Sequence, residues 1–368
     1  MNLSMNLKVL VSALLFTLLA GCNRAPGSGS SDLLVTGAKP DRLIVIDAGT
    51  RTVRSDFHIP DANDSVGAIV PSPDGKIAYV LVNRMESIAG IDLASGKEVF
   101  RADLSSAGEQ VKCMFAFDVT PDGRELIVYE LPTKLLIDEY VVEEPRFAVF
   151  STAAGLKAQP LRQFPAPRRI HLLLAKKDGA SFYAFGFELF EYAVTDGRLI
   201  AQRGIRSWER PGHSNPDLLG LWPVSEPTGV FVSPIYSSVS APGAPPEGVP
   251  TTSLMTLDLK TGRLDYRDFE TTAALIFSSV LSPAREEAFG VYAQLTKVDT
   301  THGKLAKRVN LDHTFYAVNI SSDGQEVYLG GAMCDVAFYD AATLSKKANL
   351  RLPGCPDQVL SSLRVIHR

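Results

Sequence analysis

The feature that most constrains this chain is a short phrase that recurs seven times along it. Each copy reads as a strand, a tight turn of small residues and a second strand that leaves the turn. The copies are IDAGTRTV (46–53), IDLASGKEV (91–99), FSTAAGLKA (150–158), YAVTDGRLI (192–200), LDLKTGRLD (257–265), VDTTHGKLA (298–306) and YDAATLSKK (339–347). A unit that returns about every 40–65 residues is typical of a propeller with one copy in each blade. The sequence therefore predicts an all-β fold, a seven-bladed β-propeller.

Most copies of this phrase carry an aspartate where the first strand ends. These are Asp47, Asp92, Asp258, Asp299 and Asp340. Aspartate is favoured at such positions because its carboxylate accepts hydrogen bonds from the backbone of its own turn. We therefore interpret these residues as turn formers and assign them no catalytic role.

A second phrase, PSPDGKIAYV (71–80), alternates with the first and occurs six times. The other copies are TPDGRELIVY (120–129), KKDGASFYAF (176–185), SEPTGVFVSP (225–234), SPAREEAFGV (282–291) and SSDGQEVYLG (321–330). The missing copy indicates that one blade is shared by the two chain ends. We expect residues 361–367 to supply its inner strand, and residues 33–38, 42–48 and 52–59 its outer strands. Such pairing closes the ring and leaves no long free edge.

The N-terminal residues are typical of an exported protein. Lys8 precedes an apolar run, residues 9–19, which suits a signal peptide and is too short to span a membrane. Residues 19–22, Leu-Ala-Gly-Cys, resemble a bacterial lipobox. We therefore predict a signal peptide over residues 1–21, a flexible tether over 22–32 and the propeller over 33–368. The expected location is the periplasm, with a membrane tether through lipidated Cys22; an ordinary signal peptide is the alternative.

Three further cysteines remain, Cys113, Cys334 and Cys355. An oxidising compartment permits a disulfide bond, and the blade pattern favours pairing Cys334, which follows a strand, with Cys355, which follows the next hairpin. Three free thiols are the alternative. Cys113 lies in the apolar run VKCMFAF and is expected to be a packed core thiol.

Charge and motifs argue against several functions for this chain. The net charge is −4 and basic residues occur at most in adjacent pairs, so nucleic-acid binding is not expected. The six histidines are scattered, and no metal-binding, haem-attachment, nucleophile-elbow or phosphate-loop motif is present. Asp118 and Asn319 are polar exceptions near the starts of inner strands, too few to form a calcium site. The sequence thus predicts no catalytic, cofactor-binding or metal-binding residue.

Three stretches interrupt the blade pattern, and these are where we expect partners to dock. They are residues 131–145, 205–217 and 235–252. The third is rich in proline and glycine, which predicts a long exposed loop. The candidate contact residues, for a subunit interface or a substrate cavity, are Trp208, Glu209, Asp217, Tyr236, His313 and Tyr316. For Trp208 the alternative is burial within its loop, and Trp222 is expected to pack in the core.

Several runs resemble the β subunit of quinohemoprotein amine dehydrogenase, a YVTN-type propeller. They are KPDRLIVIDAGTRTV, PSPDGKIAYVLVNRMESIAGIDLASGKEV, VKCMFAFDVTPDGRELIVYELP, IRSWE followed by NPDLLGLW, and FYAVNISSDGQEVYLGGAMCDVAFYDAATL. The resemblance runs in order from about residue 33 to the C-terminus.

The resemblance implies a periplasmic heterotrimer that oxidises primary amines. A small γ subunit carries cysteine tryptophylquinone, a diheme cytochrome c α subunit carries heme c, and the propeller scaffolds both and closes part of the substrate cavity wall. The catalytic centre is then expected in another chain. The lipobox departs from the soluble complex that the resemblance implies. Two alternatives are a stand-alone YVTN-type propeller lipoprotein that acts as a binding module and a propeller hydrolase with a central metal ion.

Overall fold

A computed structural model describes residues 31–367 apart from residues 221, 223, 241, 272–273 and 359–360. Its strands form seven antiparallel sheets, six of four strands and one of six. The predicted seven-bladed β-propeller is therefore confirmed. The helical element among the described residues is a 3-10 turn, Gly155–Lys157, and these residues contain no helix with the length and hydrophobicity of a membrane span.

Blade 1 closes the ring with strands from both chain ends, as the repeat count predicts. Its strands are β1 (Leu33–Ala38), β2 (Arg42–Asp47), β3 (Thr52–His58) and β30 (Leu363–Ile366). The inner strand β30 pairs with β1, with Leu33 opposite Ile366 and Thr36 opposite Leu363.

The other six blades follow in chain order. Blade 2 contains β4 (Ile69–Pro71), β5 (Ile77–Val82), β6 (Ser87–Asp92) and β7 (Glu98–Asp103). Blade 3 contains β8 (Glu109–Lys112), β9 (Phe117–Val119), β10 (Glu125–Leu135), β11 (Tyr140–Val142), β12 (Arg146–Ser151) and β13 (Pro160–Pro165). Blade 4 contains β14 (Leu172–Ala175), β15 (Ser181–Phe185), β16 (Glu188–Ala193) and β17 (Leu199–Gly204).

Blade 5 contains β18 (Asp217–Leu218), β19 (Val230–Val239), β20 (Val249–Asp258) and β21 (Leu264–Glu270). Blade 6 contains β22 (Ser278–Leu281), β23 (Glu287–Val291), β24 (Gln294–Asp299) and β25 (Lys304–Asn310). Blade 7 contains β26 (Ala317–Ile320), β27 (Glu326–Gly330), β28 (Asp335–Asp340) and β29 (Lys346–Arg351).

The recurring aspartate forms its turn as the sequence predicts. Asp92 Oδ1 accepts hydrogen bonds from the backbone nitrogens of Ala94 and Ser95 at 3.2 and 2.8 Å. The hydroxyl and backbone N–H of Ser95 hold the pKa of the Asp92 carboxyl below its usual value. Gly96 follows with a φ of 71°, and a Cβ there would lie 2.4 Å from the ring of Phe57 in blade 1. The turn therefore needs glycine both for its backbone conformation and for the close approach of the neighbouring blade.

The core lies between the blades, because each sheet buries both faces against its neighbours. The buried side chains form seven clusters, one at each junction of adjacent blades. Aromatic rings fill several of these junctions: Phe147 of blade 3 lies 5.0 Å from Phe182 of blade 4 between ring centroids. Each blade thus depends on the next for its hydrophobic stabilisation.

Strand alternation gives the propeller two different faces. The turns after the first and third strands of each blade, such as residues 72–76 and 93–97, lie at one end, which we call the turn face. The connections after the second and fourth strands lie at the opposite end, the loop face. The loop face carries two of the segments that the sequence marks as irregular, residues 131–145 and 205–217. It also carries residues 240–248, the part of the third stretch (235–252) that connects β19 to β20.

The expectation of a long loop over residues 235–252 is wrong in part. Strands β19 and β20 continue through most of this stretch and pair up to Val239 and Val249. Three of the four prolines, Pro242, Pro245 and Pro246, lie in the connection between the two strands. Pro250 is tolerated in β20 because the pairing of β20 with β21 begins only at Thr252, so Pro250 needs to donate no hydrogen bond to a third strand.

Candidate partner interface

Two of the irregular segments on the loop face, residues 205–217 and the end of the β19–β20 hairpin, are in contact with each other. Residues 205–217 pack along the end of the β19–β20 hairpin, where Ser214 N donates to Ser238 O and Ser240 N donates to Gly212 O, both at 2.8 Å. Arg210 adds a two-pronged ion pair to Asp268 of β21, at 2.6 and 2.9 Å. These segments are therefore ordered parts of blade 5.

The most prominent feature of the loop face is a hairpin in blade 3. Strand β10 continues past its blade, pairs with β8 on one side and turns back into β11 on the other. Residues 135–142 form the end of this extension, which we call the docking hairpin. Its base is braced by Arg146, which donates to Glu130 at 2.6 Å and to both carboxylate oxygens of Glu109 at 3.2 Å.

The docking hairpin exposes a large apolar surface. Ile137 is fully exposed, Tyr140 is 77% exposed and Val142 is 66% exposed. Leu135, Leu136 and Val141 are also exposed. Contiguous exposed side chains of this kind contribute nothing to the core of the isolated chain, and such patches usually mark an interaction site.

Charge is distributed unevenly around this hairpin. Asp138 and Glu139 at its end are exposed, and neither carboxylate forms an ion pair with any residue that the structure describes. Near the base, Glu143 pairs with Lys134, and Glu144 pairs with Arg168 at 3.0 Å. The apolar tip therefore carries uncompensated negative charge.

A second exposed aromatic, Phe187, lies on the loop face in blade 4. The guanidinium carbons of Arg169 and Arg206 lie 4.5 and 4.7 Å from its ring centroid. Arg206 N donates to Phe187 O at 2.8 Å, which fixes the position of the following loop. This side of the loop face is basic, in contrast to the docking hairpin.

Trp208 is buried, so it is not available as an exposed interface anchor. It is 8% exposed, its ring lies 5.0 Å from that of Tyr266, and its indole N–H donates to Ser214 O at 2.9 Å. Burial within its own loop, the alternative reading, is what the structure shows. The Pro-rich and Gly-rich surroundings suggested exposure because the packing partner, Tyr266, is distant in sequence. Trp222 is buried as expected.

The other candidate residues divide between exposed and structural positions. Glu209 and Asp217 are exposed on the loop face beside Trp208 and at the start of β18. Tyr236 is half-buried and bridges to blade 6: its hydroxyl donates to Ile276 O at 3.0 Å, and burial raises its pKa to about 12. The ring of His313 lies 3.0 Å from Asp335, and Tyr316 packs 4.9 Å from the ring of Phe277. Tyr236, His313 and Tyr316 therefore have intramolecular partners that hold them in place.

The cysteines are placed as the blade pattern indicates. Cys334 and Cys355 form a disulfide bond on the loop face of blade 7, across a sequence separation of 21 residues. Cys113 is buried between blades 2 and 3, and burial raises the pKa of its thiol well above the ordinary value. Neither tryptophan shares a core cluster with this free thiol.

The turn face has its own cavity at the propeller axis, of about 340 Å³. Arg364 lines this cavity and is 5% exposed; it donates from Nε to Glu226 and from Nη1 to Ile69 O at 2.7 Å. Asp118 accepts hydrogen bonds from Ala175 N at 2.7 Å and from Val119 N at 2.8 Å, and burial raises its pKa. These side chains connect the inner strands of different blades.

Asn319 has a similar role where blade 7 meets blade 1. Its side-chain nitrogen donates to Leu363 O at 3.1 Å, and its oxygen accepts from Ile320 N. Sequence reasoning noticed Asp118 and Asn319 only as poor metal ligands. Within the part of the chain that the structure describes, no three His, Cys, Asp or Glu side chains form a group that could hold a metal ion. Through their hydrogen bonds, Asp118 joins blade 3 to blade 4 and Asn319 joins blade 7 to blade 1.

Comparison with solved structures agrees with this architecture. Hydrazine synthase from Kuenenia stuttgartiensis is similar over 92% of this chain and 99% of its own, with a TM-score of 0.54 and 13% identity. The dihydro-heme d1 dehydrogenase NirN in complex with DHE is similar over 93% of this chain and 76% of its own, with a TM-score of 0.55 and 14% identity. The chain is a seven-bladed β-propeller.

A third similar structure is a functionally unknown protein from Desulfotomaculum acetoxidans. It matches 92% of this propeller and 99% of its own chain, with a TM-score of 0.59 and 10% identity. At such low identities the likeness extends to the fold alone. No family model matches the chain, and no curated protein matches it.

Proposed function

We propose that this propeller is a non-catalytic subunit of a periplasmic quinohemoprotein amine dehydrogenase. In this role it scaffolds a small quinone-bearing γ subunit and a diheme cytochrome c α subunit, and it forms part of the wall of the cavity for a primary amine. The observation that carries the proposal is the loop face, where every irregular segment collects and where the docking hairpin exposes apolar side chains. A surface of this kind needs a partner.

The chemistry of the described residues supports a scaffolding role. The buried polar groups at the axis are used in bonds between blades, and the described free thiol is buried. The quinone and the heme groups would supply the redox chemistry from the partner subunits. This chain would contribute shape, exclude water and position the other subunits.

A cleft between blades 4 and 5 is the candidate part of the cavity wall. It has a volume of about 620 Å³ and is lined by Trp208, Glu209, Arg210 and Tyr266, among others. Its walls combine aromatic rings with an exposed carboxylate, which suits a primary ammonium group. We assign the contact with the amine to Glu209 because its carboxylate forms no ion pair with the described residues.

Two neighbours of similar fold are named as a synthase and a dehydrogenase, namely hydrazine synthase and dihydro-heme d1 dehydrogenase. Their names are compatible with a propeller in redox enzymes. The more specific support for an amine dehydrogenase is the resemblance of the sequence runs quoted above, especially the segments that contain Trp208 and residues 329–344.

A stand-alone YVTN-type propeller lipoprotein is the second candidate, and the lipobox at residues 19–22 favours it. Cys22 lies outside the described residues. The first described strand, β1, begins at the turn face, and Asp32 is fixed there because Ser322 donates to it from N at 2.7 Å and from Oγ at 2.8 Å. A lipid on Cys22 would therefore place the membrane tether at the turn face, at the opposite end of the propeller from the loop face.

Purification from the native host separates the two candidates. Cells are grown on a primary amine, the untagged protein is isolated from the exported fraction, and its companions are stained for quinone and for covalently bound heme. We expect co-elution of a small quinone-positive polypeptide and a c-type cytochrome. A lone propeller from amine-grown cells would refute the amine dehydrogenase and support the binding module.

A further inference from the structure

We propose that the docking hairpin inserts into an apolar groove of a partner protein whose rim is basic, and that strand β11 pairs there with an extended segment of that partner. The inference rests on the proposed function in one respect, namely that the loop face binds another subunit. It adds the chemistry of that partner and the part of this chain that recognises it.

The apolar side chains of the hairpin are not explained by folding. Leu136, Ile137, Tyr140 and Val142 lie at the end of a three-stranded extension that projects from the blade. A turn that faces water usually carries polar residues, and an apolar patch that includes a fully exposed isoleucine lowers solubility. These side chains gain hydrophobic stabilisation only when a partner covers them, at about 25 cal/mol for each Å² of apolar surface buried.

Strand β11 has a free edge for this purpose. One edge of β11 pairs with β10, with Tyr140 opposite Leu135 and Val142 opposite Thr133. No other described strand pairs with β11. All three of its residues are exposed. A short strand rich in β-branched and aromatic residues with an open edge can accept one more strand, because its outward N–H and C=O groups form main-chain hydrogen bonds with an extended peptide.

The charge at the tip specifies the partner. Asp138 and Glu139 directly follow the most exposed apolar residue, Ile137, and their carboxylates form no ion pair with the described residues. A groove rimmed by lysine or arginine would complement them and increase the association rate. A second copy of this chain is disfavoured, since two identical tips would bring like charges together.

Ion pairs at the base of the docking hairpin fix its conformation before a partner binds. Arg146 links Glu109 of β8 and Glu130 of β10 to strand β12, and Lys134 of β10 pairs with Glu143, which follows β11. These contacts hold the three strands of the extension together. Little conformational entropy is then lost when the partner binds.

Photo-crosslinking in the native host tests the proposal. p-Benzoylphenylalanine replaces Ile137 in the full-length chain, and the crosslinked peptides are mapped by mass spectrometry. The matched control places the same probe at Leu161, another exposed apolar residue, on outer strand β13 of the same blade. We expect position 137, and not position 161, to capture one protein at a peptide in which apolar residues are flanked by lysine or arginine.

Charge reversal adds a second measurement. The Asp138→Lys, Glu139→Lys variant should reduce the crosslink yield by about tenfold, and the Asp138→Asn, Glu139→Gln variant by less, as expected for an electrostatic contribution to association. Both variants should keep the thermal stability of the wild type, because these side chains are exposed. Crosslinks to another copy of this chain or to lipid, capture of an acidic peptide, or no crosslink at all would overturn the proposal.

The same experiment separates this inference from the proposed function. If the captured protein has the basic groove but contains neither quinone nor heme, the docking hairpin stands and the amine dehydrogenase is refuted. If quinone-bearing and heme-bearing subunits co-purify and position 137 captures neither of them, the amine dehydrogenase stands and the docking inference is refuted.

Discussion

Trp208 and Glu209 are adjacent in sequence, but the first is buried and the second is exposed. The ring of Trp208 packs on Tyr266 and its indole N–H donates a hydrogen bond to Ser214 O, whereas the side chain of Glu209 is exposed. The segment around Trp208 can therefore face a partner through Glu209 while its tryptophan anchors the loop to blade 5.

We predict that Trp208→Ala lowers the free energy of unfolding by about 3–4 kcal/mol, because it leaves a cavity beside Tyr266 and an unpaired carbonyl. Glu209→Ala is the matched control at an exposed neighbour and should change stability by no more than about 0.5 kcal/mol. Urea unfolding followed by circular dichroism measures both. Equal stability of Trp208→Ala and the wild type would show that the indole is not part of the core.

His171, on the loop face between blades 3 and 4, should make stability depend on pH. Burial lowers the pKa of its imidazole from the ordinary value of 6.5 to about 4. The unfolded chain then binds the proton more readily than the folded chain, so stability is complete above about pH 6.5 and falls as the pH drops toward about 4, by at most about 1.4 kcal/mol per pH unit.

Urea midpoints measured at about pH 7 and about pH 5 check this expectation. The His171→Gln variant should lose less stability over that interval than the wild type does. His58→Gln, at a histidine whose side chain is exposed, is the control substitution. An identical loss in the wild type and in His171→Gln would show that another group titrates in this range.

At the scale of the element, local rules explain the turns and fail at the extended hairpins. The Asp92 turn was predictable because its hydrogen bonds connect residues only two and three positions apart. The continuation of β19 and β20 through residues 235–252 was not predictable from the sequence. It depends on how the two strands pair beyond the strands that flank them, which is a property of the whole blade. The β10–β11 extension was marked only as an insertion, since its exposed apolar residues lack a core-facing period.

The disulfide bond of blade 7 links two strands, and we expect it to contribute measurably to the free energy of unfolding. Cys334 precedes β28 and Cys355 follows β29, so the bond ties the loop-face ends of two paired strands. Replacing both cysteines by serine should lower the free energy of unfolding by about 3 kcal/mol, because a loop of this length is no longer closed in the unfolded chain.

Reductant provides the matched comparison for this pair. It should lower the urea midpoint of the wild type to that of the double serine variant and leave the variant unchanged. Hydrogen exchange should rise first in β28 and β29. A wild-type midpoint that does not respond to reductant would show that the bond contributes nothing to stability.

At the scale of the whole molecule, the ring depends on contacts that join distant parts of the sequence. The first recurring phrase occurs seven times and the second six times. This difference was sufficient to predict that the two chain ends share one blade, since each complete blade contains one copy of each phrase. The polar side chains at the axis were not predictable in this way: Arg364 contacts Ile69 and Glu226 across sequence separations of 295 and 138 residues. A local sequence pattern cannot predict contacts between residues so far apart in the chain.

Deleting residues 361–368 should open the ring. The truncated chain loses the inner strand of blade 1 and leaves β1 with an unpaired edge, so we expect loss of cooperative unfolding and a tendency to aggregate. A synthetic peptide with the sequence of residues 361–368 should restore part of the cooperative transition, whereas a scrambled peptide should not. Cooperative unfolding of the truncated chain at the wild-type midpoint would contradict closure by β30.

The most direct test of the proposed role is amine-dependent dye reduction in the exported fraction of the native host. The coding sequence of this chain is deleted, and the strain is complemented either with the wild type or with a chain in which a short polar turn replaces residues 135–142. We predict that primary-amine dehydrogenase activity disappears on deletion, returns with the wild type and does not return with the hairpin replacement, although that propeller folds. Full activity in the deletion strain would contradict the assignment of this propeller to an amine dehydrogenase.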